Sequence, residues 1–260
     1  MKQEVELLKQ KLKERGIIFG SHVGFREGAF SEILGDVGYD LVWIDTEHSP
    51  LGKGDILNHL IGARAAGIVS LVRVPWNEPI FVKNVLDMGA DGLVFPMIRS
   101  VEEAQEAIRA CYYPPAGIRG VGTRRANRYN LDDRSYYLDN AHDTFLKIMQ
   151  IEHVDNLDSL EGILAVEGVD GIVVGPSDFA ASMGKIKTPR DPELLAAFDT
   201  LGRIAKASGK IFGISMGFNE QNVKEWIARG VNWLNIGFEY QYVVSAASST
   251  LNTLRSLAGK

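Results

Sequence analysis

The chain has little of several features that would fix its class at once. It contains one cysteine, Cys111, in 260 residues, which excludes an internal disulfide and fits a reducing compartment. No apolar run is as long as a membrane span, and the charged segment 1–16 has no apolar core of the kind found in signal peptides. We therefore expect a cytoplasmic protein that has no membrane partner.

Charge of one sign is also scarce. The formal net charge is -5, and the isoelectric point is about 5.6. Such a balance gives no basic surface for nucleic acid, so we expect none as partner. The chain is 45% hydrophobic, which is ordinary for a globular protein, and its length suits one large domain. We predict a single domain over residues 1–260.

Short apolar strands alternate with amphipathic helices along most of the chain. After a first helix that ends at Gly16, the pattern predicts eight strand–helix units, and eight units in about 250 residues is the usual size of a (β/α)8 barrel. A doubly wound open sheet is the rival, but no dinucleotide fingerprint follows an early strand. The predicted strands are 17–20, 41–44, 69–72, 92–95, 146–152, 171–174, 211–214 and 233–236. The predicted helices include 27–34, 55–66, 78–88, 101–110, 179–183, 192–207, 220–228 and 239–257.

Two of these strands run directly into acidic residues. Residues 146–152 end at Glu152, and residues 171–178 end at Asp178. The active site of such a barrel lies at the carboxyl ends of its strands, where the two carboxylates would meet and bind a hard divalent cation such as Mg²⁺, Mn²⁺ or Co²⁺. The alternative is that Asp178 begins the next helix while Glu152 pairs with an arginine.

The second predicted strand ends in a different polar group, Asp45-Thr46-Glu47-His48. His48 is the candidate for proton transfer, because a neighbouring carboxylate makes a histidine more basic. Either Asp45 or Glu47 could be that neighbour, and we include Asp45 in the catalytic set. His22, just past the first strand, is a weaker candidate.

Arg73 is the single cation at a predicted strand tip. It could form a salt bridge, or it could stabilise negative charge on a substrate oxygen. Lys147 and Lys210 fall at the beginnings of strands, which argues against a Schiff-base mechanism and favours a metal as electron sink. Metal, base and arginine together predict enolisation of a 2-oxo acid. Asp40, Asp91, Asp170 and Lys210, at the opposite strand ends, are expected to be solvated caps.

Six stretches, in this order, carry a resemblance to a known family. They are 45–48 (DTEH), 72–77 (VRVPWN), 86–89 (LDMG), 113–122 (YPPAGIRGVG), 150–152 (QIE) and 168–178 (GVDGIVVGPSD). Over nearly its whole length the chain resembles the HpcH/HpaI aldolases. These metal-dependent (class II) pyruvate aldolases include 4-hydroxy-2-oxoheptanedioate aldolase and 2-keto-3-deoxy-sugar-acid aldolases, and the family also contains the citrate lyase beta subunit.

The resemblance implies a barrel of the phosphoenolpyruvate/pyruvate type and an activity. The expected enzyme is a carbon–carbon lyase of aromatic or sugar-acid catabolism that reversibly splits a 4-hydroxy-2-oxo acid into pyruvate and an aldehyde. The reaction would pass through a metal-stabilised pyruvate enolate. In this chain Glu152 and Asp178 match the metal ligands, His48 matches the base, and Arg73 matches the residue that stabilises the transition state.

Three further residues match functional positions of the family. Gln150 and Ser177 match positions that contact pyruvate, alongside Arg73 and Asp178. Asp87 matches an acid that increases the basicity of the histidine, reaching it across a subunit interface. The resemblance also implies a homohexamer in which the last helix, about 239–257, packs on or exchanges with a neighbouring subunit.

Two regions depart from the family pattern and put the choice of aldehyde in doubt. Residues 237–240 read Gly-Phe-Glu-Tyr, where relatives often have an aspartate soon after the glycine. The loop after Gly122 carries Arg124, Arg125 and Arg128, which we hypothesise contact an acidic or hydroxylated aldehyde tail. A basic loop facing solvent or another subunit is the alternative.

Other functions stay open at this point. A lyase acting on an acyl-CoA ester would need a nucleotide site, for which the loop arginines are the only candidates. A phosphate-binding isomerase could use Gly213, Gly217 and Gly237. A barrel without activity would have no chemical reason to keep Glu152 together with His48.

Overall fold

A closed barrel of eight parallel strands forms the centre of the molecule. In the computed structural model, which describes residues 3–259, each strand pairs with the next one in sequence, and the last pairs with the first. The strands are β1 (Ile18–Val23), β2 (Leu41–Asp45), β3 (Val69–Arg73), β4 (Gly92–Phe95), β5 (Leu146–Ile151), β6 (Gly171–Val174), β7 (Ile211–Met216) and β8 (Trp233–Phe238). The predicted (β/α)8 fold is confirmed.

Helices connect the strands on the outside of the barrel. They are α1 (Gln3–Arg15), α2 (Ala29–Val37), α3 (Lys53–Ala65), α4 (Pro79–Asp87), α5 (Val101–Cys111), α6 (Arg134–Asn140), α7 (Asn156–Ala165), α8 (Pro176–Ser182), α9 (Pro192–Ser208), α10 (Glu220–Ala228) and α11 (Glu239–Leu257). The bounds of β4, β6, α10 and α11 are as predicted. Over residues 3–259 no helix is both long enough and apolar enough to cross a membrane.

Several strands continue further toward their carboxyl ends than predicted. β1 continues through Ser21 and His22, and β7 through Ser215. Ser21 and His22 are polar but buried, because β1 continues up to the barrel mouth and neighbouring side chains surround them there. Polar residues that the sequence pattern assigned to loops therefore belong to strands.

The barrel has an inner and an outer hydrophobic core. Strand side chains such as Trp43 and Trp233 fill the interior. Val5 and Leu8 of α1 close the end of the barrel at which the strands begin. The outer core lies between the strands and the surrounding helices. Leu7 of α1 lies outside this core, with an exposed fraction of 43%.

The connection over 111–143 has secondary structure of its own. It contains helix α6 and short 3-10 segments at Arg125–Asn130 and Ala141–Asp143. The Asp133 side chain accepts a hydrogen bond from the Tyr136 N–H (2.7 Å) and so caps α6. The prolines and glycines of this connection all precede the helix.

The amino-terminal ends of the strands are sealed by a repeated side-chain contact. The residue before each even-numbered strand accepts a hydrogen bond from an N–H of the preceding strand. The pairs are Asp40 with Phe19 (3.0 Å), Asp91 with Ser70 (3.0 Å), Asp170 with Lys147 (2.9 Å) and Asn232 with Phe212 (2.8 Å). Asp40 and Asp91 are buried, so the expectation of solvated caps is wrong for both. A buried strand N–H needs a partner, and these side chains supply it.

Candidate active site

Arg73 is the central residue of the barrel mouth. It ends β3 and lies beside Asp45 of β2, the residue with which it is in register. Its Nε and Nη2 atoms donate to the two Asp45 carboxylate oxygens at 3.0 Å and 2.7 Å. Its Nη1 donates to Gln150 Oε1 (3.5 Å), and the guanidinium carbon lies 5.3 Å from the Trp43 ring centroid. Neighbouring strands thus hold the guanidinium in one orientation.

Asp45 fixes both Arg73 and the loop that follows β2. Burial alone would raise the pKa of this carboxyl, but hydrogen bonds and charge from Arg73 bring it below the ordinary value. Asp45 Oδ1 also accepts the backbone N–H groups of Glu47 (3.0 Å) and His48 (3.3 Å). Asp45 therefore orients the backbone that carries His48 and makes no contact with its ring.

Glu47 is the acid beside the His48 ring. Its Oε2 lies 3.8 Å from His48 Nε2 and 2.9 Å from Arg73 Nη1, yet this buried oxygen accepts no hydrogen bond among residues 3–259. Burial raises the Glu47 pKa; the Arg73 charge opposes this, and the Glu152 charge adds to it. Within one chain Glu47 is therefore the acid nearer to the His48 ring, and its support of His48 stays a prediction. His48 itself is exposed.

Glu152 lies one residue beyond β5 and is buried. Its Oε1 accepts the Met97 N–H (2.6 Å), and its Oε2 accepts from the Gln150 amide. Met97 follows β4 with a φ of 57°, a strained value for a residue other than glycine. Burial is the main cause that raises the Glu152 pKa, and the charge of Asp178 raises it further.

Asp178 and Ser177 lie in the first turn of α8 and not on β6. The strand itself ends at Val174, as predicted, but the polar tip assigned to it at 177–178 is wrong: Pro176 at the first helical position starts α8 immediately after the strand. Both side chains are exposed at the mouth. The effect of Asp178 on the Glu152 pKa shows that the two carboxylates are close enough to repel each other.

Asp87 lies outside this cluster within one chain. It ends α4 and forms an ion pair with the buried Arg119 (2.7 Å). Because α4 returns toward the amino-terminal ends of the strands, Asp87 could support His48 only from a neighbouring subunit. That role stays a prediction.

The mouth offers a suitable donor set for a divalent cation. Glu152 and Asp178 supply carboxylate oxygens, while Glu47 lies 2.9 Å from Arg73 Nη1. Glycine stands at position 175, where a β-carbon would come within 3.0 Å of Glu152 Oε2. Residues 3–259 contain no cluster of three or more His, Cys, Asp or Glu side chains arranged around a metal position. A two-carboxylate site that leaves coordination positions for substrate is compatible with that finding.

Comparison with known proteins agrees with this geometry. Residues 22–246 match the HpcH/HpaI aldolase/citrate lyase family. The chain belongs to this family. It is 36% identical over 233 residues to the 4-hydroxy-2-oxo-heptane-1,7-dioate aldolase of Escherichia coli strain ATCC 8739, covering 88% of this chain and 87% of the relative. Aldolases are carbon–carbon lyases, and the chain is an enzyme of this class.

Solved structures of the HpcH/HpaI family have the same fold. A family protein from Burkholderia cenocepacia J2315 aligns with a TM-score of 0.88 and 31% identity over 96% of this chain and 99% of that one. An HpcH/HpaI aldolase from Desulfitobacterium hafniense DCB-2 gives a TM-score of 0.86 and 26% identity over 95% of this chain and 96% of that one.

Sequence reasoning missed the positions of two residues that shape this family site. Glu47 was noticed only as a neighbour of His48, and its ion pair with Arg73 depends on the register of two strands. Met97 was not singled out, because a backbone N–H donor has no side-chain signal.

The three loop arginines lie away from the mouth in the single chain. Arg125 donates to the carbonyl of Met88 (2.8 Å), which follows α4, and Arg128 pairs with Asp132 (3.2 Å). Arg125 and Arg128 line a cavity of about 630 Å³ beside the ends of α3 and α4. Contact with an aldehyde would require the site of another subunit, and the sequence hypothesis stays untested.

Proposed function

We propose that the protein is a divalent-metal-dependent aldolase that reversibly cleaves a 4-hydroxy-2-oxo acid into pyruvate and an aldehyde. The observation that carries this proposal is Arg73, fixed at the mouth by Asp45 and Gln150 beside the carboxylates of Glu152 and Asp178. The name of the Escherichia coli relative supports the class of substrate.

Glu152 and Asp178 would hold Mg²⁺, Mn²⁺ or Co²⁺, with Gln150 orienting Glu152 through its amide. When bound, the cation supplies Lewis-acid polarisation of the substrate keto group. Bound charge would also remove the repulsion that raises the Glu152 pKa.

The chain's own residues move the proton and stabilise the charge. In cleavage, His48 accepts the proton of the C4 hydroxyl, the C3–C4 bond breaks, and C4 leaves as the aldehyde carbonyl. The electron pair of that bond remains on the pyruvate fragment as an enolate. Arg73 faces the negative oxygen of this fragment, while Gln150 and Ser177 orient it. Protonation of C3 then gives pyruvate.

Exchange of the pyruvate methyl protons in D₂O tests the enolising half of this proposal without any aldehyde. We expect NMR to show exchange with Mg²⁺ or Mn²⁺ that stops with EDTA. Arg73→Lys keeps the charge but loses the two-pronged contact with Asp45, so exchange should fall by about 10²–10³-fold. Absence of exchange with every divalent metal would exclude pyruvate as the donor.

We also propose that the protein is a homohexamer in which α11 packs on a neighbouring subunit. From Tyr240 to the end of α11 every residue is exposed, including Leu251, Leu254 and Leu257. Residues 246–249 (AASS) are small and suit close packing. Light scattering should give six subunits for the native chain and fewer for Leu251→Glu/Leu254→Glu. A monomeric native chain would contradict the proposal. Cytoplasmic localisation stays a prediction.

A further inference from the structure

A cavity of about 580 Å³ opens beside Asp45 and His48 at the barrel mouth. It lies between the segment that follows β1, residues 24–28, and the start of α11. Because Asp45 and His48 line it, this cavity borders the proposed reaction site.

Aromatic side chains form two facing walls of this cavity. On the β8 side, Phe238 stacks on His22 (centroids 4.2 Å apart, planes 13°) and on Tyr240 (5.4 Å, 28°). On the other side, Phe25 and Phe30 meet edge to face at 5.6 Å. The space between such walls suits a planar or apolar group.

The inner end of the cavity is neutral. His22 Nδ1 donates to the Gly237 carbonyl (3.0 Å), which leaves Nε2 to accept from the Ser215 hydroxyl (2.9 Å). Burial lowers the pKa of His22 to about 4, so the ring carries no charge at neutral pH. His22 therefore offers no cation to a substrate carboxylate.

The segment 24–28 is held from two directions, so the cavity is preformed. The Glu239 carboxylate accepts the N–H groups of Gly24 and Phe25, the latter at 2.7 Å. His59 Nε2 donates to the Phe25 carbonyl at 2.7 Å. Phe25 is thus fixed through both its N–H and its carbonyl.

The charge of the cavity is negative on balance. Glu27, Asp45 and Glu239 line it, and among the described lining residues Arg26 carries the one permanent positive charge. Arg73 already pairs with Asp45. A carboxylate on the aldehyde tail would meet the exposed Glu27 and Arg26, with the charge of the buried Glu239 behind them.

We infer that this cavity is the acceptor subsite and that it selects uncharged aldehydes with an aromatic or apolar tail over aldehydes that carry a carboxylate. The inference rests on the proposed function. It differs from what the name of the Escherichia coli relative indicates for that enzyme, whose substrate is a dioate.

A matched pair of aldehydes tests the inference. Methyl 4-formylbenzoate and 4-formylbenzoate have the same ring, and only the second carries a negative charge. In aldol addition to pyruvate, the kcat/KM for the ester should exceed that for the acid by at least about tenfold. An equal or higher value for the acid would overturn the inference.

Two substitutions with the same change of charge locate the effect. Glu27→Lys reverses one charge in the cavity and should reduce the preference for the ester. Glu32→Lys makes the same change on an exposed position of α2 that does not line the cavity, and the preference should persist. If both substitutions change the preference equally, the selection comes from the general field of the protein and the subsite is wrong.

A third variant tests the aromatic wall. Phe25→Leu keeps an apolar side chain at an exposed position of the cavity but removes the stacking surface, so the KM for the ester should rise between about twofold and tenfold, while that for pentanal should change less. An equal rise for both aldehydes would contradict a role for stacking.

Pyruvate exchange, measured in every variant, separates the two proposals. Exchange without the predicted selection overturns the acceptor subsite alone. If the native enzyme shows no exchange with any divalent metal, the proposed function is wrong, and the acceptor subsite is wrong with it.

Discussion

The two ends of the barrel use acidic residues in opposite ways. At the amino-terminal ends of the strands, Asp40 accepts the Phe19 N–H and pairs with Lys11 at 2.9 Å and Arg15 at 3.3 Å. At the mouth, burial and like charge raise the pKa values of Glu47 and Glu152. The acids at the amino-terminal ends of the strands therefore stabilise the fold, while the mouth holds more carboxylates than its one arginine, Arg73, can pair with among the described residues, which suits it to binding a cation.

Removing Asp40 should have the largest effect on stability. Asp40→Ala leaves the Phe19 N–H and two partly exposed cations without their acceptor, so the free energy of unfolding should fall by about 2–3 kcal/mol. Urea denaturation measures this change. Asp36→Ala, at an exposed position of α2, is the matched control, and an equal loss in both variants would remove the distinction between the two ends.

His22 makes the mouth sensitive to acid. Its pKa is about 4 in the folded protein and about 6.5 when unfolded, so the unfolded state binds more protons between these values. Its contribution is complete above pH 6.5 and is lost as the pH falls toward 4. Between pH 7.5 and pH 5, the free energy of unfolding of the native chain should fall by about 2 kcal/mol more than that of His22→Gln.

Urea denaturation of both proteins at the two pH values measures that difference. His59, whose pKa burial also lowers, is common to both chains and cancels. Parallel curves for the two proteins would show that His22 does not titrate as its burial requires.

Met97 should show the smallest effect. The φ of 57° at Met97 favours glycine, whereas the φ of -72° at Met88 does not. Met97→Gly should therefore lower the free energy of unfolding by about 1 kcal/mol less than Met88→Gly does. Thermal unfolding compares the two variants. No difference would mean that holding the N–H toward Glu152 costs the fold nothing.

The fold could be predicted from the sequence because apolar strands and amphipathic helices alternate with a regular period. The candidate site residues were predicted from the rule that polar residues at strand tips meet at one end of a barrel, and their roles stay predictions. Glu152 and Arg73 confirm the rule, since Gln150 joins them through hydrogen bonds.

Other features depended on contacts between distant segments. Glu47 reaches Arg73 only because β2 and β3 pair in one register. Asp178 lies in the first turn of a helix, although the local sequence is equally compatible with the end of a strand. Asp40 looked like a solvated cap because its partners, Lys11 and Arg15, come from a helix whose position under the barrel the sequence does not specify.

Pyruvate exchange by Glu152→Gln and Asp40→Ala, measured side by side in D₂O with Mn²⁺ where both are folded, tests the division between the two ends most directly. The amide keeps the shape of Glu152 but removes its charge, so exchange should fall by about 10³-fold. Asp40→Ala should exchange at the native rate per folded molecule. Exchange that survives in Glu152→Gln, or that is lost equally in Asp40→Ala, would contradict the assignment of chemistry to the mouth and stability to the opposite end.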